Sequence, residues 1–176
     1  MKSTGVIRRI DDLGRIVIPK EIRKNLRIKE GDNLEVFIDE ENIILKKYSM
    51  MNKINDLAQE LTDAIYTFTK HNVFITDTNT ILAGSGTLKK EYINAPISNF
   101  IEKSIDRREK ILESYFKELN FVNQDIIECS YILSTIIVNS EAVGMIIIIS
   151  KEEKLTEVEM QLANIVSSFI TKYLEQ

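Results

Sequence analysis

Turn signals recur so closely in the first 47 residues that every element between them must be short. Asp11-Asp12-Leu13-Gly14, Pro19, Lys29-Glu30-Gly31-Asp32 and Asp39-Glu40-Glu41-Asn42 leave room only for strand, turn, strand, short helix, strand, turn, strand. Asp bonds its own backbone locally and Gly tolerates positive φ, so such stretches reverse the chain. Residues 5–10 and 15–18, rich in Val and Ile, flank the first turn as a predicted hairpin. Pro19 suits a first helical position, where the missing N–H costs nothing, and residues 20–26 continue as a helix of about two turns. Leu34, Val36 and Ile38 alternate with Glu35 and Phe37, and residues 43–47 return as the second strand of a second hairpin.

A unit of this size buries too little apolar surface to offset the entropy of its chain. Neither a disulfide nor a multi-cysteine metal site can help, because Cys129 is the one cysteine and its expected role is that of a small buried thiol. The first 47 residues are therefore expected to fold by pairing with a second copy of themselves.

Charge is divided in the same place. Residues 1–29 carry nine Lys/Arg against three Asp/Glu, a net of +6. Residues 30–47 carry two against six, and residues 48–176 carry 12 against 18, which brings the chain to its net −4. A local basic excess on an acidic protein points to a polyanion-binding segment fused to an ordinary acidic domain. Lys20, Arg23, Lys24 and Arg27 fall at i, i+3, i+4 and i+7, one positive stripe of the predicted helix, with Ile22 and Leu26 on another side. Arg8, Arg9 and Arg15 lie on the adjoining hairpin. A dimer would present two such clusters about a two-fold axis, the arrangement needed to touch two successive half-sites of a duplex.

The run LGRIVIPKEIRKNLRIKEGDNLEVFIDEENIILKK has a Gly-Arg-x-x-x-Pro core and a Gly-Asp before the third strand, and it resembles the AbrB/MazE family of swapped-hairpin DNA-binding domains. The resemblance implies a homodimer that exchanges hairpins and binds double-stranded DNA. It places Arg8, Arg15, Arg23 and Lys24 at the family's contacting positions, with Arg9 secondary; Lys20 and Arg27 join the candidate DNA contacts through the helical spacing alone. Lys24 stands where relatives tend to have Arg. Lysine keeps the charge without the planar fork, which suits a phosphate and not a base edge. The opening residues further resemble regulators of endospore-forming bacteria. That likeness implies activation or repression of forespore-stage sporulation genes, in the cytoplasm at the nucleoid.

From residue 48 the chain turns acidic, and residues 51–70 read as a helix whose Ile54, Ala58, Leu61, Ile65 and Phe68 keep 4-3-4-3 spacing. No Pro- or Gly-rich linker precedes it, so movement of the second domain would pass to the first with little slack. Residues 73–77 and 80–83 read as strands, Gly84-Ser85-Gly86 as a loop, 97–107 as an amphipathic helix, and 108–128 have no clear pattern. Residues 131–138 and 142–150 form a hairpin about Asn139-Ser140-Glu141, its second strand apolar enough to be covered on both faces. Thr156 and Glu159 make a capping box for a last helix with an apolar stripe of Val158, Leu162, Ile165, Phe169 and Tyr173.

This order resembles that of GAF and PAS sensor domains, and the likeness to the sporulation regulators implies the GAF-like form, an α-β-α domain on an antiparallel sheet with a small-molecule effector of unknown identity. Haem, flavin or bilin attachment needs His or Cys at suitable places, and the chain has only His71, read as a capping or surface residue, and Cys129. The expected organisation is a DNA-binding domain at 1–50, a connecting or dimerising helix at 51–70 and a sensor at 71–176. Two pairing surfaces on one chain permit a tetramer. Gly84-Ser85-Gly86 lacks the Lys-Ser/Thr of a phosphate loop and a placed histidine base, so catalysis is not expected, and neither a cofactor nor a metal is implied. The longest apolar run, residues 142–149, is too short to span a bilayer, and the charged opening is unlike a signal peptide. An antitoxin-type interaction module that binds its own promoter is the alternative, disfavoured by the periodic second half.

Overall fold

Helix α1 (Lys20–Asn25) begins directly after Pro19, whose φ of −57° is already that of a helix. It ends in paired backbone bonds, Ile28 N–H to Arg23 O at 2.8 Å and Arg27 N–H to Lys24 O at 3.3 Å. Arg27 occupies the left-handed position between them at φ 53°, so this is a Schellman-type stop with Arg where Gly is usual. Strands β1 (Leu34–Asp39) and β2 (Asn42–Lys47) pair antiparallel about Glu40 and Glu41, with Phe37 opposite Ile44 and Ile38 opposite Ile43. The computed structural model describes residues 5–122 and 125–176, and the chain divides into two units, Met1–Tyr48 and Ser49–Gln176.

The first predicted hairpin is only half formed. Its turn is present: Asp11 N–H reaches Arg15 O at 3.1 Å, and Gly14, at φ 75°, donates to Asp11 O at 3.0 Å. Residues 5–10 and 15–18, however, adopt no strand ladder. Much of their apolar surface stays uncovered in a single chain, with Ile7 92%, Ile10 60% and Val17 73% exposed.

The second unit is an α-β-α layer structure. A 3-10 turn (Met50–Ile54) leads into α2 (Asn55–Thr69), which stops at Lys70 in the left-handed conformation. The sheet contains β3 (Asn72–Thr76), β4 (Ile81–Ser85), β5 (Lys110–Val122), β6 (Asp125–Val138) and β7 (Glu141–Ser150), in the order β4-β3-β7-β6-β5 and antiparallel throughout. α3 (Lys89–Tyr92) and α4 (Asn99–Asp106) lie on one face, and α2 and α5 (Glu157–Leu174) on the other. Central β7 serves both: Met145, Ile147 and Ile149 join the α3/α4 core, and Ile146 and Ile148 the α2/α5 core.

Three expectations need correction. Residues 110–122, where no pattern was legible, form the long edge strand β5, whose register with β6 shifts between Glu113 and Lys117. Gly84 and Ser85 end β4 instead of making a loop: they pair with Phe74 and Val73 of β3, and a side chain at 84 would meet the Phe74 ring. The apolar stripe of α5 faces outward, with Val158, Ile165, Phe169 and Tyr173 between 46% and 63% exposed. Its buried face is the smaller-residue one, Ala163, Val166, Ser167 and Ile170. Small side chains let the helix settle close to β6, where Ser167 and Thr171 donate hydroxyl bonds to Thr135 O at 3.0 Å and Ile137 O at 2.7 Å. The capping box forms as read, with Thr156 N–H donating to Glu159 Oε2 at 2.8 Å. Of the spaced residues read into the first long helix, Ile54 falls in the 3-10 turn and is buried, as are Ala58 and Ile65 of α2, but Phe68 is 72% exposed.

Candidate nucleic-acid interface

Of the basic residues of the first unit, Arg8 and Arg9 lie in the segment that adopts no ladder, Arg15 follows the Asp11–Gly14 turn, and Lys20, Arg23 and Lys24 lie on α1. Arg8, Arg9, Arg15, Lys20, Arg23 and Lys24 are all exposed. Lys20, Arg23 and Lys24 share one side of α1, as the spacing requires. Arg27 does not continue that stripe. It lies beyond the helix with a positive φ, half-buried, and its carbonyl accepts from Lys47 Nζ at 3.5 Å.

Arg15 is fixed by the turn before it. Asp11 Oδ1 accepts from the N–H of Leu13 at 3.1 Å and of Arg15 at 2.7 Å, while Asp11 Oδ2 accepts from Arg15 Nε at 2.7 Å. The Arg15 backbone and side-chain bonds hold the Asp11 carboxyl below the usual carboxylate range. A second pair sequence reasoning missed is Lys47 Nζ with Asp32 Oδ2, 3.1 Å apart and largely buried. Asp32 Oδ2 also accepts from Lys29 N–H at 2.7 Å, so the loop after α1 is tied to the end of β2.

The same unit has an apolar groove of about 290 Å³, lined among others by Val6, Arg8, Ile16, Ile22, Leu26, Ile43 and Leu45. The two helix residues read as an apolar stripe, Ile22 and Leu26, both open into it. Such a surface is complete only when another apolar segment fills it.

In the second unit the α3/α4 core is packed with aromatic rings. Phe74 and Phe121 lie 4.9 Å apart and Tyr92 meets Phe121 edge-on at 5.1 Å. Tyr92 Oη donates to Asp125 Oδ2 at 2.6 Å; burial, then this bond, pushes the phenol up. A cavity of about 390 Å³ lies where α2 ends beside β7, lined by Lys70, His71, Asn72, Ser150, Lys151 and Glu153 among others. Ser85 is buried in a network with Thr62, Asp63 and Gln59 that ties β4 to α2. Burial pushes the Cys129 thiol up to about 11. Among the described residues no group of three or more His, Cys, Asp or Glu is placed to hold a metal, and no helix is long and apolar enough to cross a membrane.

Comparison with known proteins accounts for both units. Residues 53–175 match the family described as stage V sporulation protein T C-terminal, transcription factor, and residues 7–53 match antidote-toxin recognition MazE, bacterial antitoxin. Stage V sporulation protein T of Bacillus subtilis (strain 168) is 44% identical over 178 residues, covering all of both chains. The transition state regulatory protein AbrB of the same organism is 60% identical over 48 residues, which are 27% of this chain and 50% of AbrB. The GAF domain of an Acinetobacter phosphoenolpyruvate-protein phosphotransferase is 10% identical. It has a TM-score of 0.58, over 73% of this chain and 84% of that one, and so shares the fold. A GAF-like unit thus follows an AbrB-like swapped-hairpin unit, and the chain belongs to the stage V sporulation protein T family of transcription regulators that act in sporulation gene control.

Proposed function

We propose that this protein binds double-stranded DNA as a hairpin-exchanged dimer and regulates forespore-stage genes, as activator, repressor or both. Arg8, Arg9, Arg15, Lys20, Arg23 and Lys24 are its contacts, with Arg27 at the margin. The single observation that carries this reading is the coincidence of six exposed cations with an unfilled apolar groove on one small unit. The cations supply phosphate attraction, and a second copy that fills the groove doubles them. The acidic remainder of the chain, by repelling DNA, favours approach from this side.

In this reading residues 1–50 are the DNA-binding domain, 51–70 the connecting helix and 71–176 a sensor for a small-molecule effector. The outward stripe of α5 supports a second pairing surface, so that two dimers assemble as a tetramer in the cytoplasm. A dimer mass by light scattering would refute that assembly. An antitoxin role is the second reading, supported by the match of residues 7–53 to the MazE family. The folded sensor-like unit stands where such a protein would carry an extended toxin-binding tail.

The test is the salt dependence of binding to promoter DNA. Each phosphate neutralised contributes a log-log slope of about −0.9, so several contacts from a dimer produce a steep line. A flat dependence would contradict the proposal.

A further inference from the structure

An acidic side chain in a face meant for phosphates needs a reason to be there. Asp11 is partly exposed, and an exposed i, i+4 ion pair contributes little to stability, so folding accounts for the backbone bonds of its carboxylate but not for its hold on the Arg15 side chain. Its carboxylate divides its work between the backbone and one side chain. Oδ1 holds the turn through Leu13 and Arg15 N–H, and Oδ2 holds Arg15 Nε at 2.7 Å. A guanidinium gripped at Nε keeps only its terminal Nη1 and Nη2 for another partner, and among the described residues these have none. The Arg15 side chain is 71% exposed, so that end projects into solvent from a rigid turn.

A free Arg loses much rotamer freedom when it binds, and a fork oriented beforehand loses less. The end-on Nη pair matches the two acceptors of a guanine edge in the major groove. We infer that Asp11 is a positioning residue for DNA recognition, which presents the Nη pair of Arg15 to a base edge and so sets sequence discrimination. The inference rests on the proposed role of Arg15 as a DNA contact.

The substitution Asp11→Asn separates the two jobs of the carboxylate. Asn keeps an oxygen for the turn, but its amide nitrogen donates and cannot accept from Nε. The full-length chain, its Asp11→Asn and Arg15→Ala variants and the double variant are compared on two duplexes. One is the tightest binder selected from a random-sequence pool by the unsubstituted protein, and the other a scrambled duplex at the same salt. Asp11→Asn is expected to lower the selected-over-scrambled affinity ratio about tenfold, the scale of one bidentate base contact. Affinity for the scrambled duplex is expected to hold or rise, because a charge repelling phosphate has gone. In the Arg15→Ala background the same substitution is expected to add nothing. An unchanged ratio in Asp11→Asn, or an equal loss in both backgrounds, overturns the inference while Arg15→Ala still weakens binding. Full discrimination in Arg15→Ala overturns the reading of Arg15 itself, and the inference with it.

Discussion

In the second unit, Val73, Phe74, Ile75, Met145, Ile146, Ile147, Ile148 and Ile149 are completely buried, and the sheet is covered on both faces. In the first, Pro19 is the only buried residue among those described, while Ile7, Leu13, Val17, Ile38 and Ile43 are 70% or more exposed. The same chain thus closes one core and leaves the other open. The sensor-like unit has the burial of an independent domain. The basic unit has the apolar residues of a core but only half of the structure that would enclose them. Its stability must come from a second copy and so must vary with concentration, whereas the second unit's core does not.

That contrast breaks most readily from the side of the closed core. Phe74→Ala removes a ring packed on Tyr92 and Phe121 and should cost the second unit about 3–5 kcal/mol, read as a lower denaturant midpoint, without changing DNA affinity at temperatures where the unit remains folded. A proportional loss in the first unit would mean that the two cores are not separate. Ile16→Ala, in the open groove, should cost about 2–5 kcal/mol, but of association, appearing as a dimer that dissociates at higher concentration. If the first unit is complete in one chain, the same substitution will shift unfolding equally at all concentrations.

Smaller effects sharpen the comparison. Thr156→Ala removes the hydroxyl half of the α5 capping box and should lower the second unit's stability by about 1 kcal/mol. Burial alone would raise the carboxyl of Glu159, but the hydroxyl and N–H bonds from Thr156 outweigh it and hold it below its ordinary value. Its contribution is therefore present at neutral pH and fades as pH falls through the acidic carboxylate range. Amide exchange in the first turn of α5, followed from pH 6 to pH 3, should show protection lost on acidification and a weaker pH dependence in Thr156→Ala. Cys129, buried and with its thiol pushed up, should react with thiol reagents only after the second unit unfolds.

What the sequence disclosed follows the same division. Turns and caps are local chemistry, so the Asp11–Gly14 turn, the Pro19 helix start and the Thr156–Glu159 box are legible from neighbouring residues. The β6–β7 hairpin is equally legible, because a central strand must be apolar on both sides. β5 is not, since an edge strand needs only part of one face covered, and Lys110, Glu113, Lys117 and Glu118 obscure any alternation. The α5 stripe misleads for the opposite reason. Its largest apolar residues look outward, while Ala163 and Ser167 mark the real contact with the sheet. In the basic unit, charge and spacing identify the cations, but the Asp11–Arg15 and Asp32–Lys47 pairs depend on how turns bring side chains together. The ladder expected of residues 5–10 and 15–18 is absent from the single chain, where Ile7, Ile10 and Val17 stay exposed.

Hydrogen exchange of the full-length protein across a dilution series tests most directly the claim that the basic unit is completed by a second copy. Amides of β1 and β2 should lose protection as the protein is diluted, while those of central β6 and β7 keep theirs. Protection of β1 and β2 that stays the same at every concentration, down to a demonstrated monomer, would contradict it.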